Sequence, residues 1–318
     1  MPSENWTPPS RCPACGGRLH TWQRVPGSDP TWPGPVALLR CSSCATAVTG
    51  APAPHQGHDA GQYATAAPRG AEPAAPVLRL FDRHRLALLR VAGAGPPARL
   101  LDAGAGRGRF VAAARAAGYD ARGLEPSARG VSAARAAFGL ELLRAGIEDA
   151  AVEPGSLDAV TLWHVLEHLD DPGGALARVT DWLRLGGVVL VGVPNAASLQ
   201  ARLGGPVWLH LDVPRHRTHF TAQGLRALLR AHGLEPLRTH HVLAEHNPFG
   251  LWQSLVSRTT PTPSWLFHVL KRNAPLTVGD AVPTALAVPL APLAAAAEVL
   301  AGLCRRGGTI AVSARRVR

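Results

Sequence analysis

Lysine is all but missing from this chain. Lys271 is the only one, so nearly all of the 33 basic residues are arginines, set against 22 acidic residues for a formal net charge of +11. The positive charge is not gathered into a run; the densest group is Arg315-Arg316 with Arg318. A dispersed excess of this kind reads as arginine on solvated helix faces in a chain rich in Ala, Arg, Gly and Pro. It does not read as a nucleic-acid-binding tail. The opening MPSENWTPPSRCPACGG has no apolar run, so no secretory signal is expected there and a cytoplasmic location is the expectation. Aromatics are few, at 5%, but hydrophobic residues reach 46%, which excludes global disorder. A length of 318 residues suits one large domain with additions.

Cysteine is scarce too, at five residues, but four of them form two C-x-x-C pairs, Cys12/Cys15 and Cys41/Cys44. Each pair sits on a turn signal, with Gly16-Gly17 following the first. Two such knuckles can set four thiolates tetrahedrally around Zn²⁺, and a segment this short needs the metal's binding energy to fold. Residues 1–50 are therefore expected to be a structural zinc ribbon. Two pairs with no βαβ context argue against a redox motif. Residues 51–75, rich in Ala, Pro, Gly and His, read as a linker carrying His55, His58 and Tyr63.

From residue 76 to the end the pattern is α/β. A helix over 76–92 precedes the stretch ARLLDAGAGRGRF, where a short apolar run ends in Asp102 and glycines follow at 104, 106 and 108. This is a buried strand entering a tight turn and then a helix, the arrangement that lets backbone approach a nucleotide-like ligand at a helix N-terminus. Strand and helix then alternate: a second strand ending at Glu125, a third in LELLRAGIED, and a fourth over Asp158–Trp163 running into a helix that continues to Gly187. A fifth follows in VVLVGVPN, a sixth in LEPLRTHHVLAEH and a seventh in GTIAVSARRV. The expectation is a doubly wound, seven-stranded Rossmann-like sheet with its ligand at the carboxyl ends of the strands. Between the last two strands, 248–305 forms an apolar helical insertion. Its first half holds Phe249, Trp252, Trp265 and Phe267; its second half, Ala281–Cys304, carries one charge, Glu298. Pro283, Pro289 and Pro292 interrupt it, which argues against a membrane span and for buried or lid-forming helices. Peripheral membrane contact through 248–305 is the further expectation.

The glycine pattern is D-x-G-x-G-x-G, not the G-x-G-x-x-G of dinucleotide dehydrogenases. With Glu125 and Trp163-His164-Val165-Leu166-Glu167-His168, it resembles the class I S-adenosylmethionine-dependent methyltransferases over about 76–247 and 306–318, in the subgroup that carries an N-terminal zinc ribbon. The resemblance implies S-adenosylmethionine as cofactor. Asp102 would orient the loop or meet the amino group of the methionine part, and Gly104 and Gly106 would let backbone pass beneath. Glu125 would hold both ribose hydroxyls, Ile147 and Glu148 would lie by the adenine, and Trp163 by the methyl group. Ala105, Gly108 and Pro126 complete the cofactor-binding set. The segment Trp208–Thr221 resembles the P-R-H-x-x-H-F stretch of that subgroup, and its polar residues are candidates for substrate contact. His164, His216 and His219 are the candidate bases, and Thr221 is a candidate N-cap for the next helix. The acceptor implied is a small molecule, a glycan or a lipid-linked, hydrophobic compound. Two other readings stand beside it. One is a binding protein that uses the ribbon and keeps the fold as scaffold. The other is a nucleic-acid methyltransferase, against which the absence of an N-P-P-Y type tetrapeptide after strand four weighs.

Overall fold

The computed structural model describes residues 9–28, 34–51, 75–243, 245, 247–271 and 274–318. The expected linker with His55, His58 and Tyr63 lies almost wholly outside the described residues. The strands are β1 (Leu19–Val25), β2 (Val36–Cys41), β3 (Ala47–Thr49), β4 (Arg99–Ala103), β5 (Asp120–Leu124), β6 (Leu157–Trp163), β7 (Leu183–Pro194), β8 (Thr218–His219), β9 (Leu234–His240) and β10 (Thr309–Arg316). The helices are α1 (Ala75–Val91), α2 (Arg109–Ala116), α3 (Ala128–Phe138), α4 (Pro172–Trp182), α5 (Leu199–Gly204), α6 (Ala222–Ala231), α7 (Asn247–Val256), α8 (Trp265–Leu270), α9 (Val278–Ala287) and α10 (Ala291–Leu303). The chain divides into two compact units. One takes the described part of Met1–Gly70 with Pro194–Gly224 and His240–Ile310; the other takes Ala71–Val193, Leu225–Thr239 and Ala311–Arg318.

In the second unit the sheet order is β5-β4-β6-β7-β10-β9. The first four strands are parallel and in close register, with Ala103 opposite both Leu124 and Leu162, and Trp163 opposite Gly192. Their carboxyl ends therefore share one edge. β10 runs the other way: Arg316 near its end bonds the Leu183 carbonyl at the start of β7, and Val317 just beyond it bonds Gly233 just before β9. β7 is buried along Gly187–Pro194, as a central strand covered on both faces must be.

Three sequence expectations are corrected here. Among the described residues the sheet has six strands and not seven, because LELLRAGIED contributes one bridge, Leu143 to Leu124, with two backbone bonds around it. Only Leu140 and Leu142 of its first residues are buried, and exposed Arg144 gives the edge nothing to pack. The helix expected after β6 is also interrupted. A single 3₁₀ turn at Leu166–His168 comes first, then Asp171 caps α4 by accepting from Gly174 N–H at 2.9 Å, with Pro172 in the first turn. Finally, LRLGG is not the end of that helix but the start of β7, held by Leu183 opposite Leu157.

In the first unit β1, β2, β3 and β8 form an antiparallel sheet. Its apolar core joins Val25, Val36 and Leu38 to Trp208, Leu211 and Val213, far along the chain. Hydrogen bonds repeat the connection. Thr221 Oγ1 donates to the Cys44 carbonyl at 2.7 Å and accepts from Gly224 N–H at 3.1 Å, so it caps the first turn of α6 while holding the second cysteine pair. Gly224 itself has no room for a side chain, since a Cβ would stand 2.0 Å from Thr46 Oγ1. The substitution Thr221→Ala removes the cap and the bond to Cys44 together. It is expected to cost about 1–3 kcal/mol, read as a lower urea midpoint at unchanged slope.

Candidate active site

The turn after β4 is shaped by three left-handed glycines, with φ of 80° at Gly104, 54° at Gly106 and 76° at Gly108. Their reasons differ. A Cβ on Gly104 would lie 2.3 Å from Val165 Cγ2, and one on Gly108 would lie 2.9 Å from Ala134 Cβ, so these two let the turn close against β6 and α3. A Cβ on Gly106 would meet nothing within 4 Å. Its side faces open space at the carboxyl ends of β4, β5 and β6, where β4 sits between its two neighbours and the connections diverge. Ligands of open α/β sheets bind at that kind of place.

Glu125 ends the segment after β5. Its Oε2 accepts from Gly106 N–H at 2.7 Å and its Oε1 from Ser127 N–H at 2.9 Å. Each oxygen keeps a further lone pair, so the carboxylate is oriented by backbone and still able to accept from a vicinal diol. Sequence reasoning missed Gly130, which makes this possible: a Cβ there would stand 2.8 Å from Glu125 Cγ and 2.9 Å from the Gly106 carbonyl. Asp102 is buried, and its Oδ1 accepts from Thr161 Oγ1 at 2.6 Å. Burial pushes its carboxyl up to about 6, a rise that the Thr161 bond and the nearby Arg85 charge only partly offset.

Trp163, at the end of β6, is wedged between strand and helix. Gly192 on β7 has no side chain to obstruct it, since a Cβ would come within 2.6 Å of the indole. The Arg85 guanidinium of α1 stands 4.2 Å from its ring centre and 5.4 Å from that of Phe110. Gly192 and Arg85 were not among the candidates; the signal was available only as a helix residue of α1 at the right height. Arg109, at the start of α2, pairs with buried Asp82 of α1 at 2.7 Å. His164 follows with φ 55°, a left-handed conformation that is strained for a side-chain-bearing residue. Its Nδ1 lies 3.0 Å from Oε1 of Glu167, a carboxylate only 1% exposed. Ile147 is buried, Pro126 half-buried, Ala105 buried, and Glu148 exposed. The second unit thus contains Asp102, Gly104, Ala105, Gly106, Gly108, Glu125, Pro126, Ile147, Glu148, Trp163 and His164.

His216 and His219 belong to the first unit. The Thr49 hydroxyl donates its one proton to the His216 carbonyl, so in its 3.0 Å contact with His219 Nε2 the imidazole is the donor. His219 is buried there, on β8, paired with Ala47 of β3. His216 Nδ1 donates to the His210 carbonyl at 2.8 Å, and its Nε2 lies 3.7 Å from Asp212 Oδ2. Asp212 also accepts from Ser28 Oγ at 2.9 Å and pairs with Arg215.

The four cysteines converge. Cys15 Sγ is 3.3 Å from Cys44 Sγ and 3.5 Å from Cys41 Sγ, and Cys12 Sγ is 3.7 Å from Cys44 Sγ. Tetrahedral zinc with bonds of about 2.3 Å places sulfurs about 3.8 Å apart, so the set fits that ion. The two knuckles share one backbone design. The residue after each second cysteine is left-handed, Gly16 at 71° and Ala45 at 59°, and its N–H bonds the first cysteine's carbonyl. The N–H of each first cysteine bonds the residue five further on. Burial pushes Cys12 up, and pushes Cys15 up to about 11. At Cys41, burial is outweighed by N–H bonds from Cys44 and Ser43, and the thiol is lowered to about 7.

Residues 73–239, just over half of the chain, match the family model for a methyltransferase domain. No curated protein matches the chain. Solved structures similar to it include a possible histamine N-methyltransferase from Thermotoga maritima, 18% identical, with 77% of this chain and 96% of that one covered at a TM-score of 0.47. Another is the 1,6-didemethyltoxoflavin-N1-methyltransferase of Burkholderia thailandensis, 18% identical, with 86% and 96% covered at 0.44. A third is the geranyl diphosphate C-methyltransferase of Streptomyces coelicolor, 18% identical, with 76% of each covered at 0.46.

The cysteine geometry makes a separate prediction. The protein is expected to carry one zinc per chain by elemental analysis. Cys44→Ser is expected to lose it and to lower the first thermal transition by more than about 5 °C. An unchanged transition in metal-free protein would remove the structural role.

Proposed function

The chain belongs to this methyltransferase family, and we propose that its second unit binds S-adenosylmethionine and transfers the methyl group to a small-molecule, glycan or lipid-linked acceptor. The observation that carries the reading is the Glu125 carboxylate, aimed by two backbone N–H groups beside the Gly104–Gly108 turn. When bound, the cofactor supplies a methyl group on a positively charged sulfur, so catalysis is largely a matter of alignment. Glu125 would accept from the ribose hydroxyls, and Gly106 keeps the space beside the turn clear. Asp102 would accept from the ammonium of the methionine part, and Trp163 would help to enclose the cofactor. Burial, the turn and the carboxylate all fit that ligand. So does the buried Trp163 Nε1, which has no acceptor among the described residues.

We assign proton removal from the acceptor to His164. In this reading Glu167 accepts from its Nδ1–H and orients the ring. His219 donates through Nε2 and is engaged within the ribbon, so it serves as a structural residue in this reading. His216 is oriented by the His210 carbonyl and serves within the first unit in this reading. The ribbon's zinc is structural.

Calorimetry tests the cofactor. Glu125→Ala is expected to weaken S-adenosylmethionine binding by at least about tenfold, the loss of one or two charge-assisted hydrogen bonds. Asp102 gives the pH dependence its sign. Folding raises its carboxyl from 3.8 to about 6, so its contribution to stability is complete below 3.8 and is lost as pH rises through 6. A bound ammonium needs the ionised form. Affinity is therefore expected to fall by up to about tenfold per pH unit below 6, and Asp102→Asn is expected to flatten that profile.

Transfer of labelled methyl to fractionated cell extract tests the acceptor. Label is expected in the lipid or small-molecule fraction; label confined to nucleic acid would overturn the assignment. On whichever fraction accepts, His164→Ala is expected to slow transfer about 10²–10⁴-fold with cofactor affinity retained. Glu167→Gln is expected to move the pH optimum. Unchanged turnover in both variants would eliminate the pair.

A further inference from the structure

The last two helices before β10 bury the wrong side for an ordinary soluble helix. From Val278 to Leu303, α9, a 3₁₀ turn and α10 follow one another over 26 residues, a length sufficient to cross a bilayer, yet only 22% of the most apolar window is buried. The inward stripe is small or polar: Asp280, Thr284, Ala294, Glu298 and Ala301. The outward stripe is large and apolar, with Val278 79% exposed, Leu286 75%, Leu293 68% and Leu303 67%.

The acids of the segment confirm the polarity. Asp280 accepts from Thr262 N–H at 2.9 Å and from the hydroxyls of Thr262 and Thr277. Glu298 accepts from Gly308 N–H at 2.6 Å and Gln200 Nε2 at 3.0 Å. Both carboxylates are thus buried within the first unit, where α10 packs through Ala294 on Leu251, Trp252 and Val256 of α7. A helix tied down in this way cannot cross a membrane without stripping those bonds. Every exposed residue from Val278 to Leu303 is Val, Leu, Ala, Pro or Gly. A protein partner's interface carries a hydrogen bond for every 100–200 Å² or so; this face offers no side chain to make one. Directly after it come Arg305 and Arg306, both exposed.

We propose that the outward face of α9 and α10 docks on the surface of a bilayer containing anionic lipid, with the apolar side chains in the acyl boundary and Arg305 and Arg306 at the headgroups. An uncharged apolar stripe with arginine at its rim is the chemistry of an interfacial helix. The proposal does not depend on methyl transfer.

Flotation of the full chain with vesicles tests it. Wild type is expected to float with vesicles of phosphatidylcholine and phosphatidylglycerol, and about tenfold less with phosphatidylcholine alone. Leu286→Asp with Leu293→Asp, at exposed positions, is expected to stay at the bottom while keeping the circular dichroism and urea midpoint of wild type. Arg305→Gln with Arg306→Gln is expected to erase the preference for anionic vesicles. Wild type that stays at the bottom overturns the proposal, as does flotation of the folded Asp variant. If wild type fails to float and instead forms a dimer that the Asp variant lacks, a second copy covers this face and the membrane reading falls.

Discussion

Two hydrogen bonds to one carboxylate hold the candidate cofactor site together. Glu125 takes the N–H of Gly106 from the turn after β4 and that of Ser127 from the start of α3. Neither partner is a side chain, so the geometry depends on backbone being able to come close. That closeness depends in turn on residues with no Cβ. Gly106 occupies a left-handed conformation, and Gly130 leaves room for both the Glu125 stem and the Gly106 carbonyl. The parallel register of β5, β4 and β6 then brings Asp102 and Trp163 to the same edge. Asp102 is buried, and that burial raises its carboxyl to about 6.

Strain and buried charge concentrate at the end of β6. His164 keeps a left-handed backbone while its N–H still bonds the Gly192 carbonyl. The same glycine admits the Trp163 indole. Immediately beyond, Glu167 is almost fully buried against the His164 imidazole. A carboxylate taken out of water is costly unless hydrogen-bonded, and the His164 Nδ1 lies 3.0 Å from it.

The cysteine ribbon is not a free-standing module. Its sheet is completed by β8, its apolar core by Trp208, Leu211 and Val213, and its second knuckle by Thr221. The histidine-rich segment that sequence placed near a substrate is therefore largely committed to holding the ribbon. Thr49, Ala51 and Cys44 on the ribbon each bond a backbone or side-chain group between His216 and Thr221. Zinc at the four sulfurs would brace this whole unit and not the knuckles alone.

The sequence by itself determined what depends on neighbours along the chain. The glycine turn was legible because Asp102, Gly104, Gly106 and Gly108 are contiguous and each constrains local backbone. The knuckles were legible because two pairs at fixed spacing imply one ion. The alternation of strand and helix followed from period alone, and it failed at LELLRAGIED and LRLGG, where edge exposure and strand pairing outweigh local pattern. Tertiary structure decided what distant residues share. Thr49 and His219 meet across 170 positions, which turns a candidate base into a hydrogen-bond donor. Gly192 and Arg85 enclose Trp163 from two other elements. In α9 and α10, composition showed an apolar segment, but only packing showed that both acids face inward while the large apolar side chains face out. Hydropathy sums over a helix, whereas burial selects one face of it.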